Sequence, residues 1–374
     1  MRRDPLTWLL YGQPAIWGYF LYGFAPVVPL LRDEQHTSRG VASLHGTALA
    51  VGGVAGGVFL PWLVRRFGRA TLVWAGVGGV ALCTAGLLAS RPLAATLTWA
   101  ALASVAGSMI VNGTTAVLTD HHGPAGPAVL SEANAVAAGV GLLAPLAVGG
   151  AVTVGLGWRP GLGAVIGLAA LTAIGWRVRI PAGRPVAVVR QAAGRLPRAY
   201  WLMWASLTAT GAVELCLNLW VADVLRTHSH VPPGAATAAV STIIGGMLVG
   251  RAAGGRLALR YPPAKVLLGA LGVSGVGFAT FWFAPTPAVA MAGLAVCGLG
   301  NSVHFPLGMG LAVAHSGGQP ERALSRVAYA FGLSFGAAPY ALGALADRVG
   351  PHEVVEGDDG PGVRVVGSED AAVA

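Results

Sequence analysis

The sequence predicts an all-α integral membrane protein made of two helical bundles that repeat each other in parallel, with six spans in the first and five in the second. Three observations support this fold class: a series of long apolar stretches, an uneven distribution of Arg and Lys, and residues that match at a constant separation. Hydrophobic residues make up 55% of the 374-residue chain and charged residues only 10%. A soluble globular domain of this length carries far more charge, so that class is excluded.

Each apolar stretch is long enough to cross a bilayer. About 20 apolar residues span the roughly 30 Å hydrocarbon core as a helix, and lipid offers no partner for unpaired backbone groups. The eleven predicted spans are Trp8–Leu31, Val41–Val64, Ala70–Ala89, Leu93–Leu118, Ala128–Leu156, Gly161–Ile180, Tyr200–Leu225, Ala235–Leu259, Ala264–Ala284, Ala288–Ala314 and Ala323–Ala346.

The distribution of Arg and Lys predicts the orientation. With the N-terminus inside, 16 of these residues lie on the cytoplasmic side of the spans and 6 on the outer side. This asymmetry follows the positive-inside rule, so we expect a multi-pass protein of the cell (inner) membrane with a cytoplasmic N-terminus. The net charge of +9 is then a topology signal, and no nucleic-acid partner is expected.

The longest hydrophilic connection, Arg177–Arg198, divides six spans from five. We therefore predict an N-terminal six-helix bundle over residues 1–180, a basic cytoplasmic linker over 181–199 and a C-terminal five-helix bundle over 200–352. Residues 353–374 are acidic, and their composition predicts a disordered tail.

Residues on the two sides of this linker match at an offset of 194 without a gap. Arg66 matches Arg260 and Pro145 matches Pro339. Because six spans return the chain to the same side of the membrane, the repeat is parallel. Secondary transporters use this arrangement, with two bundles that face each other across a site at the midplane.

The connection after span two carries a recognisable motif. In the major facilitator superfamily this loop has the pattern Gly-x-Leu-x-Asp-Arg-x-Gly-Arg-Arg, and the chain resembles it at Leu63, Arg66, Gly68 and Arg69. It departs from the pattern where Arg65 replaces the Asp and Pro61 replaces the leading Gly. The resemblance covers residues 1 to about 350 and implies a transporter in which this loop is a latch of the cytoplasmic gate.

The resemblance also implies which residues form that gate. Arg66 and Arg69 can engage Asp120 or Glu132, and Arg260 is the second-half counterpart of Arg66.

Two further segments are similar to superfamily motifs. Gly343–Gly350, which contains Asp347, is a closer copy of the loop pattern, but it falls on the outer side and is not expected to act in the gate. Gly141–Gly150 in span five is similar to the Gly/Pro motif of superfamily antiporters. A kink in a packed helix is the alternative explanation.

Ionisable residues at membrane depth are costly unless they face a cavity or a partner. Glu214 lies near the middle of span seven, with Asn218 one turn further along the same face. We predict that Glu214 carries a proton or binds a cationic group, with Arg251 of span eight as its counter-charge. The alternative is a structural pair, or an Arg251 side chain that reaches towards the interface.

In the superfamily, spans one, four, seven and ten line the central cavity. The resemblance therefore implies a substrate and coupling site made from Tyr19, Tyr22, Asn112, Glu214, Asn218, Asn301 and His304. The alternative for the tyrosines is packing, and for the amides it is hydrogen bonding between helices.

These features predict a secondary active transporter that moves a small organic solute by alternating access, with proton-coupled efflux as one form of it. The alternatives are an integral-membrane enzyme acting on lipid-borne substrates and a truncated, non-functional transporter. No catalytic set, cofactor or metal site is expected, because His121–His122 and His228–His230 lack further ligands. The expected partners are the bilayer, a small-molecule substrate and protons, and a monomer is expected.

The repeat predicts a twelfth helix at a place where the sequence cannot form one. Arg159–Ile180, which contains span six, shifts by 194 to Glu353–Ala374, and this segment holds six of the chain's 15 acidic residues. At about 2.5 kcal/mol or more for each Asp at a membrane centre, it cannot span. We expect either a reading-frame slip or a natural eleven-span variant, and in both cases one side of the second bundle is uncovered.

Overall fold

A computed structural model describes residues 3–181 and 195–353, and within these ranges the regular elements are helices, with no strand. The first bundle contains Pro5–Phe24 (α1), Val28–Gln35 (α2), Arg39–Phe67 (α3), Arg69–Ala89 (α4), Leu93–His122 (α5), Gly126–Thr153 (α6) and Arg159–Ala173 (α7). The second contains Arg198–Thr227 (α8), Pro233–Arg260 (α9), Pro263–Trp282 (α10), Pro287–Asn301 (α11), His304–Ala314 (α12), Pro320–Gly336 (α13) and Ala338–Glu353 (α14). Most of the predicted linker, 182–194, and the tail, 354–374, lie outside the described residues.

The fourteen helices form the eleven spans that the sequence predicts, because three spans are each built from two helices. A 3-10 turn at Ala25–Val27 joins α1 to α2 and contains Pro26, whose missing N–H interrupts the helix. The other two breaks separate α11 from α12 and α13 from α14. Nine helical segments in the described ranges are long and apolar enough to cross a membrane, and α7 is a shorter apolar helix. The predicted fold class is confirmed.

Local sequence explains several helix ends. The Asp4 carboxylate caps α1 by accepting hydrogen bonds from the Thr7 hydroxyl at 2.6 Å and the Thr7 N–H at 2.9 Å. These hydrogen bonds lower the pKa of Asp4 to about 2. A single residue, Gly68, joins α3 to α4 with φ of +80°. Only glycine adopts that angle without strain, which accounts for the glycine in the loop motif after span two.

The helices of the two bundles begin at residues separated by 194, as the sequence predicts. The paired starts are Arg39 and Pro233, Arg69 and Pro263, Leu93 and Pro287, and Gly126 and Pro320. The close contacts repeat as well: Gly52 lies against the Ala101 carbonyl, and Gly246 lies against the Ala295 carbonyl. The parallel repeat is therefore present in both the helix order and the packing.

The two bundles meet along two seams, one between α3 and the α13–α14 pair and one between α6 and α9. In the second seam Gly149, from the Gly/Pro motif of span five, lies against the backbone of Gly234. In the first seam the Thr47 hydroxyl donates to the Gly336 carbonyl oxygen at 2.6 Å. Small residues allow such close approach, and the resulting van der Waals contact holds helices together where lipid supplies no hydrophobic driving force.

We expect Gly246→Ala to destabilise the protein by about 1–3 kcal/mol relative to Gly245→Ala, because the new methyl group would collide with the Ala295 carbonyl. Gly245 is a matched control: its added Cβ would meet only Leu142 Cδ1 at 3.6 Å, and both variants gain the same helix propensity. Thermal unfolding of the detergent-purified proteins measures the difference. Equal melting temperatures would show that this contact does not limit stability.

Candidate functional site

Ion pairs join the two bundles at the end of the molecule where α2 ends, α3 begins and α8 ends, which we call the Asp223 end. Asp223 Oδ2 of α8 accepts from Arg32 Nη1 at 2.8 Å and from Arg39 Nε at 2.9 Å. Arg226 Nη2 of α8 donates to Asp33 Oδ2 at 2.6 Å. The two arginines bound to Asp223 and the Asp33 carboxylate all belong to the first bundle, so these contacts cross between bundles.

Burial makes Asp223 the dominant member of this network. Its side chain is 3% exposed, whereas that of Asp33 is 41% exposed. Removing one partner of a buried ion pair costs about 3–5 kcal/mol, whereas an exposed pair contributes about 0–1 kcal/mol. Breaking the contacts of Asp223 is therefore expected to destabilise this end more than breaking the Arg226–Asp33 pair.

Asp347, near the end of span eleven, adds a further contact between the bundles. Its carboxylate accepts from the backbone N–H groups of Arg39 at 2.8 Å and Gly40 at 2.7 Å, in the first turn of α3. These donors have no partner within their own helix and lie at its positive end. Asp347 of the motif at Gly343–Gly350 thus binds the opposite bundle, at the end of the molecule away from the predicted cytoplasmic gate residues.

The protonation state of Asp347 favours this contact. Burial by itself would raise the pKa of Asp347, but hydrogen bonds from the Gly40 N–H, the Ser38 hydroxyl and the Arg39 N–H lower it below the ordinary value. For a carboxyl with a depressed pKa, the stabilisation is fully present above the unfolded-state pKa and is lost as the pH falls through the folded-state pKa. The contact therefore persists throughout the neutral and mildly acidic range.

The predicted gate residues lie at the opposite end of the molecule, which we call the Glu132 end. Arg69 forms an ion pair with Asp120, as the sequence analysis anticipated. Glu132 accepts from Arg3 Nη2 at 2.8 Å and from the Tyr11 hydroxyl at 2.7 Å. These contacts lie within the first bundle, in contrast to those at the Asp223 end.

The other two predicted gate residues, Arg66 and Arg260, have exposed side chains at the surface. Glu132 is bound by Arg3 instead of by Arg66 or Arg69. A gate between bundles at this end is therefore not formed by these residues in the conformation described.

Charged and polar groups from both bundles come together between the two ends. The Tyr22 hydroxyl of α1 interacts with the Arg251 guanidinium of α9 and with the charge of Glu214 of α8. Glu214 also interacts electrostatically with Arg251. Glu214 is half-buried, whereas the Arg251 side chain is exposed. The predicted acid and its predicted counter-charge are thus near each other, with a tyrosine of the first bundle beside them.

Two small cavities adjoin this cluster. Tyr22, Glu214 and Asn218 line a cavity of about 60 Å³. Tyr22 and Arg251 line a second cavity of about 170 Å³ together with Asn134. The Asn218 side-chain nitrogen donates to the Glu214 carbonyl at 2.9 Å, and its buried oxygen has no hydrogen-bond partner in the described residues. A carboxylate, a phenol and an amide therefore line the first cavity, and the same phenol and a guanidinium line the second.

Two of the predicted cavity residues have other neighbours. Tyr19 is buried and donates to the Gly161 carbonyl oxygen at 2.7 Å, which joins α1 to α7 inside the first bundle. Asn112 is exposed and donates to the Ser108 carbonyl oxygen of its own helix at 2.8 Å. The contacts of Tyr19 fit the alternative interpretation of the tyrosines, in which they pack between helices.

Asn301 and His304 lie in the interior of the second bundle. Asn301 is 1% exposed, and its side-chain oxygen accepts from the Ser274 hydroxyl of α10 at 2.6 Å. His304 is also buried and lies near the backbone of Ala270 in the same helix. Of the seven residues predicted from the resemblance, Tyr22, Glu214 and Asn218 are therefore the ones that line a common cavity.

The sequence analysis missed the ion pairs at the Asp223 end. Arg32, Arg39 and Arg226 belong to the six basic residues on the outer side, which the sequence analysis used only to predict the orientation. One signal was available: Asp223 is an acidic residue within predicted span seven, and such residues are costly at that depth without a partner. Its partners could not be found from the sequence, because they lie about 190 residues away in the other bundle.

No group of three or more His, Cys, Asp or Glu side chains in the described ranges is arranged to hold a metal ion. His121 Nε2 instead interacts with Asp4 Oδ2 at 2.8 Å, and His122 Nε2 with the Thr7 hydroxyl at 2.9 Å.

Two parallel helical bundles, joined along two seams and by ion pairs at one end, define a multi-pass membrane transporter fold with paired halves. The family model described as Major Facilitator Superfamily matches residues 15–224, more than half of the chain. The chain therefore belongs to the Major Facilitator Superfamily. No curated protein matches the sequence.

Solved transporter structures share the fold at low sequence identity. A bacterial homolog to the human lysosomal transporter Spinster, in an inward-facing and occupied conformation, has a TM-score of 0.73 at 14% identity and covers 92% of this chain and 81% of its own. The nucleoside transporter NupG gives 0.67 at 13% identity, covering 92% and 91%. A D-xylose-proton symporter gives 0.69 at 10% identity, covering 92% and 90%.

Asp223→Asn is expected to separate the bundles at the Asp223 end, because two guanidinium groups lose their common carboxylate. Spin labels on cysteines introduced at His36 and His230, in a chain without native cysteines, report the distance between the bundles there. We expect the distance distribution to shift to longer values in this variant.

Glu34→Gln is the matched control for this measurement. Glu34 lies at the same end, but its partner Arg159 Nη2, at 2.6 Å, belongs to the same bundle. The distribution should be unchanged in this variant. An equal shift in both variants would show that general destabilisation, not loss of the contact between bundles, separates the labels.

Proposed function

We propose that this protein is a secondary active transporter of the inner membrane that moves a small polar organic solute by alternating access, with Glu214 as the proton-carrying group. The observation that carries the proposal is the arrangement of charge along the molecule. Ion pairs between bundles join the Asp223 end, the Glu214 cluster has members from both bundles, and the Arg3–Glu132 and Arg69–Asp120 pairs of the Glu132 end lie within the first bundle. This arrangement favours a state in which the Asp223 end is closed and the polar site is reached from the other end.

The proposed orientation places the Glu132 end in the cytoplasm. The excess of Arg and Lys supports this placement, since it follows the positive-inside rule when the N-terminus is cytoplasmic. The Asp223 end is then the outer gate, and its closure corresponds to an inward-facing state. The similarity to an inward-facing Spinster homolog is consistent with that state.

Opening the outer gate requires a second set of contacts at the Glu132 end. We assign these to Arg66, Arg69, Asp120, Glu132 and Arg260. Arg66 and Arg260 are exposed in the conformation described and so remain available for contacts in the opposite state. The Arg69–Asp120 pair shapes the first-bundle side of this inner gate.

Glu214 is the best candidate for the coupling group because it is an acidic side chain at membrane depth, half-buried and next to a cavity. Protonation of its carboxylate would weaken its attraction to Arg251, which belongs to a different helix. The Tyr22–Arg251 contact joins the two bundles, so a change in charge at Glu214 acts on groups of both. The similarity to a proton symporter and a nucleoside transporter supports a small polar solute as the substrate class.

Glu214→Gln is expected to abolish proton-driven accumulation while counterflow exchange continues, because the amide fills the same space but carries no titratable proton. Proteoliposomes screened against a panel of labelled sugars and nucleosides identify the solute, and an enclosed pH-sensitive dye then reports coupled proton movement. Glu34→Gln, at the outer end, is the control and should retain both activities. Driven transport that survives in Glu214→Gln would exclude Glu214 as the proton carrier.

The orientation makes a separate prediction. In a chain without native cysteines, His230→Cys should react with a membrane-impermeant maleimide on intact cells, whereas Ala193→Cys should react only after lysis. Ala193 lies in the basic linker, which the positive-inside rule places in the cytoplasm. Labelling of Ala193→Cys from outside would reverse the assignment of both gates.

A further inference from the structure

The second bundle has an open apolar groove on its side. The groove encloses about 440 Å³ between α8, α10 and α14, and its walls include Cys216, Leu217, Phe281, Trp282, Leu342 and Ala346. We call it the α8–α10–α14 groove.

The first bundle shows what occupies the equivalent place. In the first bundle, α1, α4 and α6 correspond to α8, α10 and α14 of the second. Helix α7 packs against α1, α4 and α6. Leu162 Cδ1 of α7 approaches Gly23, and Leu88 Cδ1 approaches Gly163 of α7. Gly161 lies so close to Val148 that an added Cβ would collide with the Val148 backbone. In the first bundle, the space is therefore filled by a helix with small residues on its contact face.

The repeat relates the two sites residue by residue. The three α7 contacts Gly23, Leu88 and Val148, shifted by 194, become Leu217, Trp282 and Leu342, and all three line the groove. The groove is thus the second-bundle copy of the α7 site.

We propose that the α8–α10–α14 groove binds an apolar membrane-spanning helix that residues 1–374 do not supply. The corresponding segment of this chain, Glu353–Ala374, holds six acidic residues, and each would be costly at membrane depth. A helix is favoured over lipid acyl chains as the occupant of the groove, because the groove walls correspond by the repeat to the residues that bind α7 in the first bundle. This inference does not depend on the transport activity proposed above.

The α7 contacts also define the chemistry of the bound helix. It is about 20 residues long to cross the bilayer. It carries small residues four apart on one face, because lipid and groove are equally apolar and only close backbone approach favours a helix over lipid. Leu217, Trp282 and Leu342 are larger than Gly23, Leu88 and Val148, so the second groove requires a smaller contact face than α7 provides.

Cys216 provides a native probe of the groove. It is half-buried and lines the groove, whereas Cys83 and Cys297 are buried in the bundle interiors. The experiment reconstitutes the full chain in liposomes with a synthetic Leu/Ala helix of about 22 residues that carries two glycines four apart. A single cysteine is moved along this helix one position at a time, and copper-phenanthroline then oxidises adjacent thiols to disulfides.

We expect the yield of cross-linking to Cys216 to vary with a period of 3.6 residues, as for a helix held in one orientation. Replacing the two glycines by leucine should reduce the maximum by about tenfold, and Ala346→Trp, which fills the groove, should reduce it similarly. Cys216→Ser is the control and should remove the signal. A cooperative thermal unfolding transition of the Ala346→Trp variant is the check that this variant is folded.

Three outcomes would overturn the proposal. A uniform yield along the probe helix would indicate random collisions in the bilayer. An undiminished yield in folded Ala346→Trp would place the helix elsewhere. Efficient Cys216–Cys216 cross-linking without the probe, rising with the ratio of protein to lipid, would show that a second copy of this chain covers the groove.

Discussion

The carboxylate of Asp223, buried between two guanidinium groups of the opposite bundle, is the contact on which the described conformation depends. Membrane helices associate weakly because lipid is as apolar as their side chains, so glycine seams alone allow two bundles to slide or part. A buried ion pair between bundles is different, since losing one partner leaves an uncompensated charge. The seams set how closely the bundles approach, and Asp223 sets the end at which they are closed.

The polar cluster of Tyr22, Glu214 and Arg251 makes contacts both within the second bundle and between the two bundles. Tyr22 comes from the first bundle, whereas Glu214 and Arg251 come from neighbouring helices of the second. A proton or a cationic solute that changes the charge at Glu214 therefore alters contacts within the second bundle and between the bundles together. A site built wholly inside one bundle, such as the Asn301–Ser274 contact, could not influence their relative position in this way.

The sequence predicted the fold class well, because hydrophobic length and the offset of 194 are properties of the chain that do not depend on tertiary contacts. The offset of 194 recurs in the starts of four helix pairs, from Arg39 and Pro233 to Gly126 and Pro320. The sequence predicted less well which side chains face the cavity. Tyr19 and Tyr22 lie in the same helix, three residues apart, yet one binds α7 and the other faces the cavity. The partners of Asp223 and Asp347 were inaccessible, since both contacts join residues that are far apart in sequence.

The ion network at the Asp223 end has a consequence for how membrane voltage acts on the protein. Arg32, Arg39 and Arg226 contribute three positive charges, and Asp33, Asp223 and Asp347 contribute three negative charges. A charge that crosses the full membrane field gains about 2.3 kcal/mol per 100 mV, but a group with no net charge gains nothing by moving as a unit. Opening this end, however, would separate a first-bundle half with a net charge of +1 from a second-bundle half with a net charge of −1. The membrane field therefore acts on this network through the relative movement of two oppositely charged halves, one in each bundle.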